Sequence, residues 1–463
     1  MLNTNSEYLR AEIMDVIRLF DAENEDFTHY FSYASNEYYN CIEYNGEFYD
    51  FCDKRDTENE IEYKRFAKRF AKLAFYNVLS KAKGIRFPYG ALTGIRPTKL
   101  ARNEIAAGNN YAQLFTECGV SEENIRHVSR IMNAQSHIYA NRGGQDLFVS
   151  IPFCPTKCEY CSFITAPISA TRGYVNEYVS CLEKELAGVS PLLSEIKSIY
   201  IGGGTPFAIG AAELGRIYAA INALNLKKCE YTVEAGRPDT FTDEKLKLSK
   251  DYGVTRICVN PQSFSDATLE KIGRKHTCAD IYRAFEMAEK YAFDINIDLI
   301  AGLADENLSD FGNSVKRAIE LKPANITVHT LSLKAGAKLK EKCTRLKVDG
   351  IGEMLALSRE LLTEAGYEPY YMYRQKYQAG GHENCGWALK GKQCVYNVDV
   401  MEEIADNVAV GANAISKRVM PLGSKIVRYA SPKDIPTYIE KVDKIIEERN
   451  KLFKSGVIKY KQQ

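Results

Sequence analysis

At 463 residues the chain is too long for one ordinary hydrophobic core, so two or three domains are expected. Lys plus Arg number 61 against 60 for Asp plus Glu, and this near-zero net charge counts against nucleic acid as a partner. With 45% apolar and 26% charged residues, and no apolar run long enough to span a bilayer, the composition is that of a globular protein without a membrane span.

The opening stretch MLNTNSEYLRAEIMDVIRLF mixes acidic residues into an apolar periodicity and lacks a small-residue cleavage site. It reads as an amphipathic helix of the mature protein, not as a signal peptide. At 38–51, YYNCIEYNGEFYDF contains two β-rich runs joined by Asn45-Gly46, a pair that predicts a type I′ hairpin. A basic helix is expected around 63–82, followed by FPYGALTGIRPTKLA, in which Pro88, Gly90, Gly94 and Pro97 interrupt any regular element. Residues 1–144 are therefore expected to form an N-terminal α+β accessory domain.

From Asp146 the pattern changes. Strands are predicted at 147–152, 198–201, 231–234, 256–260, 295–300 and 326–330, with helices near 171–190, 211–224, 241–251, 279–290 and 308–321. Alternation at this spacing predicts right-handed βαβ units on a parallel sheet, and six units suit a partial barrel better than a closed eight-fold one. The expected fold class is α/β, a partial (β/α)6 barrel over 145–335, with a C-terminal domain at 336–463. That last part is aromatic and Gly-rich through 366–398 and helical near 433–453. The thirteen cysteines, an odd number scattered through a large chain, point to a reducing compartment and a cytosolic protein.

Three of those cysteines lie close together. IPFCPTKCEYCSF sets Cys154, Cys158 and Cys161 on one short loop directly after the first parallel strand. Three thiolates on a loop suit a metal with soft ligands. A structural zinc would want a fourth Cys or His, and none lies nearby. A three-thiolate site leaves one metal open to a cofactor or substrate.

CxxxCxYC after a first strand resembles the signature of the radical S-adenosylmethionine enzymes. The resemblance implies a [4Fe–4S] cluster whose open iron chelates S-adenosylmethionine, one-electron cleavage to methionine and a 5′-deoxyadenosyl radical, and a protein that holds the cofactor away from water and oxygen. The other strand ends agree with it, since working residues of parallel barrels gather there. The second strand ends in GGGTP, and the family's segment of that form meets the methionyl amino group, which implicates Gly203, Gly204 and Thr205. The third ends at Glu234 in VEAGRPD, suited to accept from that amino group or a ribose. RICVNPQSF delivers Asn260 and Gln262, and Arg274 in IGRKH is a bidentate donor suited to the cofactor carboxylate. Asp298 sits inside the apolar run NIDLIAGL, either as a ligand contact or hydrogen-bonded to a neighbouring strand, and His329 in ITVHTL is either a core residue or part of the site. By the same resemblance Tyr160 would lie near the adenine.

The order CxxxCxYC, GGGTP, VEAGRPD, NPQSF, GRKH and NIDLIAGL resembles the oxygen-independent coproporphyrinogen III dehydrogenase (HemN-like) family over about 145–335. YGALTGIRPTK at 89–99, YRQK at 373–376, ENCGWA at 383–388 and VGANAISK at 410–417 resemble its HemZ branch. This implies a tetrapyrrole substrate, a one-electron donor such as flavodoxin or ferredoxin, and conversion of propionates to vinyl groups in haem biosynthesis. Phe148, Ser150 and Ser162-Phe163 depart from the best-characterised branch, whose third cysteine is followed by Gly-Cys. They are closer to the haem-chaperone branch, although Glu383-Asn384 stands where that branch has His-Asn. A haem carrier and a radical enzyme acting on haem itself are therefore the alternatives. For the substrate, Arg374 and Lys376 in YYMYRQKY, with Arg96 and Lys99, combine basic groups with aromatic faces; an aromatic strand with a solvated basic edge explains each of them at least as well.

Overall fold

The first strand takes only three residues. Leu2–Thr4 (β1) lies parallel to Phe27–Ala34 (β2), so the helix expected from the first residue begins at Glu7 and runs to Leu19. That helix buries Leu9, Ile13, Val16 and Ile17, spaced on one face. Asn45 and Gly46 take φ of +54° and +78° and close β3 (Glu37–Tyr44) on β4 (Glu47–Lys54), as the Asn-Gly pair predicts. The long helix Glu60–Lys83 starts where the Asn59 side chain accepts from the N–H groups of Ile61 and Glu62, and it stops at left-handed Gly84. The structure is a computed structural model that describes residues 1–454 apart from 58, 162–165, 304, 333–336, 339–349, 376–378 and 421–424. These elements form one unit, residues 1–130 with 373–383.

The second unit comprises residues 131–372 with 384 onward. Its sheet contains β5 (Gln145–Ile151), β8 (Ile196–Gly203), β9 (Glu230–Gly236), β10 (Arg256–Val259), β11 (Asp294–Ala301) and β12 (Asn325–Thr330), all parallel and in that spatial order. A short pair, β6 (Phe153–Cys154) and β7 (Ala166–Pro167), stands beside it. Helices Val175–Val189, Ala211–Asn222, Asp243–Asp251, Cys278–Glu289 and Leu308–Glu320 fill the crossovers. The strands are buried on both faces, so they read as near-continuous apolar runs. The α/β parallel array is the one the alternation predicts.

The C-terminal part differs from a separate domain. Glu368–Tyr373 (β13) and Asn384–Ala388 (β14) extend the sheet beyond β12, with β14 antiparallel to it. Asp406–Val410 (β15) pairs in parallel with β5 on the opposite side, followed by the antiparallel Ile415–Val419 (β16) and Ile426–Ala430 (β17). The physical reason is that β5 and β12 would otherwise be bare sheet edges with unpaired backbone groups. Two compact units result where the sequence suggests three parts. Among the described residues no helix is long and apolar enough to cross a membrane, and no disulfide links the described cysteines.

Helix Val442–Lys454 is fastened by a buried charge pair. Arg449 donates to Glu185, both side chains being 0% exposed, and Glu185 also accepts from the Tyr438 hydroxyl at 2.6 Å and the Gly411 N–H at 2.8 Å. Breaking one half of such a pair costs more than removing both. Arg449→Met is expected to lower stability by about 3–5 kcal/mol, and the double variant Glu185→Leu/Arg449→Met to recover most of that loss in urea unfolding. Equal stability of the single and double variants would refute the charge coupling.

Candidate active site at the carboxyl ends of the parallel strands

β5 is anchored by Leu147, Val149 and Ile151, each 0% exposed, and the chain leaves it through Pro152 and Phe153 into Cys154. The cysteine loop is then fastened from outside. The Glu159 N–H donates to Ile272 O at 3.1 Å, and the Thr156 hydroxyl donates to Gly273 O at 3.3 Å. Cys158 is buried, whereas Cys154 and Cys161 are half-buried. Among the described residues no His, Cys, Asp and Glu group closes around a single metal ion. A cubane cluster takes each thiolate on a different iron and so asks for a wider spread than one ion does. Ser162 and Phe163 lie outside the described residues.

GGGTP lies flat against this loop. Gly204 N–H donates to Ile151 O at 2.8 Å and Thr205 N–H to Phe153 O at 2.7 Å. A Cβ on Gly204 would stand 2.6 Å from Phe153 O, so only glycine permits the approach. Gly203 ends β8, and the Thr205 hydroxyl is 3.4 Å from Cys154 Sγ. The glycine before them serves Glu234, because a Cβ on Gly202 would stand 2.6 Å from Glu234 Oε2.

Glu234 is aimed by a bulge. Between Val233↔Ile257 and Gly236↔Val259 the β9 strand spends one residue more than β10, which turns its side chains locally. Burial pushes the Glu234 carboxyl up to about 8, repulsion from Asp298 adds to that, and a backbone hydrogen bond from Gly203 opposes it. Asp298 lies on β11 between Ile297 and Leu299, both 0% exposed, and its Oδ2 is 3.7 Å from His329 Nε2. Gln262 takes φ of +70°, a conformation rare outside glycine. Its N–H donates to Asp298 O and its own carbonyl accepts from Ile300 N–H, each at 3.0 Å, which locks it across the end of β11.

Arg274 is buried. It donates to Asn260 O and, at 3.0 Å, to the Tyr160 hydroxyl. Asn260 Oδ1, Gln262 Oε1 and Arg274 Nε are buried without a hydrogen-bond partner. Buried polar atoms in that condition are costly unless a ligand meets them. Unpartnered acceptors and two carboxylates, with a guanidinium beside Asn260, fit a ligand carrying an ammonium, a carboxylate and hydroxyl groups.

Two groups present in the quoted motifs received no role from sequence reasoning. Arg237, 3% exposed, grips Asp239 and reaches the cysteine loop; the spacing Arg-x-Asp just past a strand end is the signal for it. His276 is 2% exposed and 3.9 Å from Asp239, and burial followed by the positive charges of Arg274 and Arg237 pushes its pKa down to about 3. It is neutral at physiological pH. Arg374, in contrast, belongs to the first unit. Its guanidinium lies 4.3 Å from the Tyr89 ring centroid and donates to Leu92 O and Gly381 O, and burial lowers its pKa to about 10. Lys376 lies outside the described residues.

Residues 148–318 match the radical SAM superfamily: the chain is a radical S-adenosylmethionine protein, whose cofactors are a [4Fe–4S] cluster and S-adenosylmethionine. The oxygen-independent coproporphyrinogen-III oxidase-like protein HemZ of Bacillus subtilis (strain 168) is 34% identical over 413 residues, 85% of this chain and 82% of that protein. The chain belongs to this HemN/HemZ family. Heme chaperone HemW of the same organism is 35% identical over 190 residues, 40% of this chain and 49% of that protein. The fold is also that of Escherichia coli coproporphyrinogen III oxidase (HemN), with a TM-score of 0.52 at 21% identity, covering 67% of this chain and 72% of that one.

Because the folded pKa of Glu234 lies above its ordinary value of 4.5, the native state holds more protons than the unfolded state between about 4.5 and 8. This group therefore lowers the stability of the cofactor-free protein as pH rises through that window. Glu234→Gln is expected to flatten the fall in melting temperature between pH 5 and 8. A slope identical to that of the parent would mean that the carboxyl ionises normally.

Proposed function

We propose that this chain is a radical enzyme that oxidatively decarboxylates the propionates of coproporphyrinogen III, without oxygen, to the vinyl groups of protoporphyrinogen IX. The observation that carries the reading is the group formed by Glu234, Asp298, Asn260, Gln262 and Arg274 beside a loop of three cysteines. It is supported by the identity to a protein named as oxygen-independent coproporphyrinogen-III oxidase-like.

Cys154, Cys158 and Cys161 would each hold one iron of the cluster. The cluster and S-adenosylmethionine, when bound, supply one-electron cleavage and a carbon radical able to take a hydrogen atom from the substrate. Gly203, Gly204 and Thr205 would line the methionyl end, with Glu234 and Asp298 offering negative charge to its ammonium group. Arg274 would offer Nε to the carboxylate while its bond to Tyr160 steadies that ring against the adenine. Gln262, its backbone fixed by two hydrogen bonds, would present its side-chain amide to the cofactor. At each of two propionates the substrate would give a hydrogen atom to that carbon radical, then lose carbon dioxide and pass one electron to a one-electron acceptor, leaving the vinyl group. A flavodoxin- or ferredoxin-type donor would supply the electrons for cofactor cleavage.

The competing reading is a haem carrier, since heme chaperones match part of the chain. Trp387 is 1% exposed, and Asn384 Oδ1 accepts from Thr330 N–H at 2.8 Å, so both side chains are taken up by the sheet. That favours the enzyme.

The test is anaerobic turnover of the reconstituted, reduced protein with S-adenosylmethionine and coproporphyrinogen III. Both 5′-deoxyadenosine and a vinyl-bearing product are expected, and Cys158→Ala should lose the cluster absorbance and both products. Stoichiometric haem binding with no porphyrinogen conversion would overturn the proposal in favour of the carrier.

A further inference from the structure

We propose that Arg237 is a positioning residue that clamps the cysteine loop and raises the reduction potential of its cluster by acting on Cys158. The inference rests on the reading that Cys158 is a cluster ligand, and it assigns a role to a residue just beyond the bulged end of β9.

The geometry is specific to a guanidinium. Nε and Nη2 of Arg237 donate to Oδ1 and Oδ2 of Asp239 at 2.9 and 3.0 Å, a bidentate fork that fixes the plane of the group. The remaining nitrogen, Nη1, is thereby turned to the loop, 2.9 Å from Thr156 Oγ1 and 4.0 Å from Cys158 Sγ. Thr156 accepts from Arg237 and donates to Gly273 O, so one hydroxyl ties the loop both to the end of β9 and to the turn after helix Asp266–Lys271. A lysine could supply the charge but not the fork and the third donor together.

The charges are ordered as well as paired. The positive nitrogen faces the sulfur, and the carboxylate of Asp239 lies on the far side of the same guanidinium. In a buried setting that orientation stabilises a thiolate and any further negative charge delivered to the metal it binds. Charge and hydrogen bonding at ligand sulfurs are among the means by which a protein sets a cluster's potential.

The experiment compares anaerobically reconstituted full-length protein with Arg237→Gln, Arg237→Lys, Asp239→Asn and Thr156→Val, reading iron content, resistance to a chelator and the cluster midpoint by EPR-monitored redox titration. Arg237→Gln is expected to lower the reduced-to-oxidised ratio at fixed potential about tenfold, ~59 mV for a one-electron couple. Arg237→Lys should restore part of that shift. Asp239→Asn, which leaves the guanidinium in place without its counter-charge, should move the midpoint the opposite way, an outcome that mere loss of packing would not give. Thr156→Val should shed iron to the chelator several-fold faster with little change in midpoint. A wild-type cluster with the same midpoint and chelator resistance in Arg237→Gln would overturn this inference alone. Failure of the wild type to assemble any cluster would overturn the cysteine assignment and this inference with it.

Discussion

Glu234 and Asp298 are held together, half-buried, at the carboxyl end of the parallel sheet, one on β9 and one on β11, with β10 between them. Neither is ion-paired with a lysine or arginine among the described residues, and their mutual repulsion adds to the rise in the Glu234 pKa. Folding does not require such a pair; a hydrophobic replacement would remove the penalty of burying it. The remainder of the site can be understood as what is needed to keep two carboxylates there: a bulge that turns Glu234, a glycine that leaves room for its Oε2, and a strained Gln262 that braces the Asp298 backbone. A cationic ligand removes the repulsion, so the same arrangement that costs stability in its absence favours binding in its presence.

The loop and the carboxylates are coupled through backbone contacts. Because Gly204 and Thr205 hydrogen-bond to Ile151 and Phe153, the GGGTP segment cannot move without moving the residues that enter Cys154. The outer side of the loop is tied to 272–273 by Glu159 and Thr156, and to Arg237 by Thr156. The ends of β8 and β9 and the turn after helix Asp266–Lys271 therefore set the position of one short loop, and rigid elements hold a site better than loops do alone.

Much of this was legible in the sequence. The apolar runs and their spacing predict the six central strands and their order, because parallel strands buried on both faces leave a strong compositional mark. Asn45-Gly46 predicts its hairpin for an equally local reason. What was not legible depends on long-range pairing. The bulge at Glu234 is defined only against β10, so the sequence names the residue but not its orientation. β15 is a parallel neighbour of β5 although more than 250 residues separate them in the chain, and nothing local in DNVAV states which edge it will cover. Arg374 looked like a substrate cation because it follows a run of tyrosines; its partners Tyr89, Leu92 and Gly381 become visible only when the chain has folded.

The opposite end of the same sheet provides the control. At the amino-terminal ends of the strands the charges are numerous too, and there too the pairing is incomplete: Asp146 is repelled by Asp399 and Glu230, and Asp146 Oδ2 and Arg256 Nε are buried without a hydrogen-bond partner. Lys197 pairs with Asp399 at 2.7 Å, and Arg256 donates to Asn296 at 2.8 Å while lying 3.4 Å from Glu230, which also receives the N–H groups of Val395 and Tyr396. Opposite charges and backbone donors meet there, and the network closes the sheet against the segment 392–396. At the carboxyl ends Arg237 and Asp239 pair, but Glu234 and Asp298 repel each other, and Asn260 Oδ1, Gln262 Oε1 and Arg274 Nε have no hydrogen-bond partner. Unpartnered polar atoms lie at both ends, so incomplete pairing alone does not distinguish structure from function. The missing cation does: Lys197 and Arg256 stand among the amino-end carboxylates, whereas Glu234 and Asp298 have no lysine or arginine paired with them among the described residues, and by that measure the carboxyl ends suit a cationic partner that the polypeptide itself does not supply.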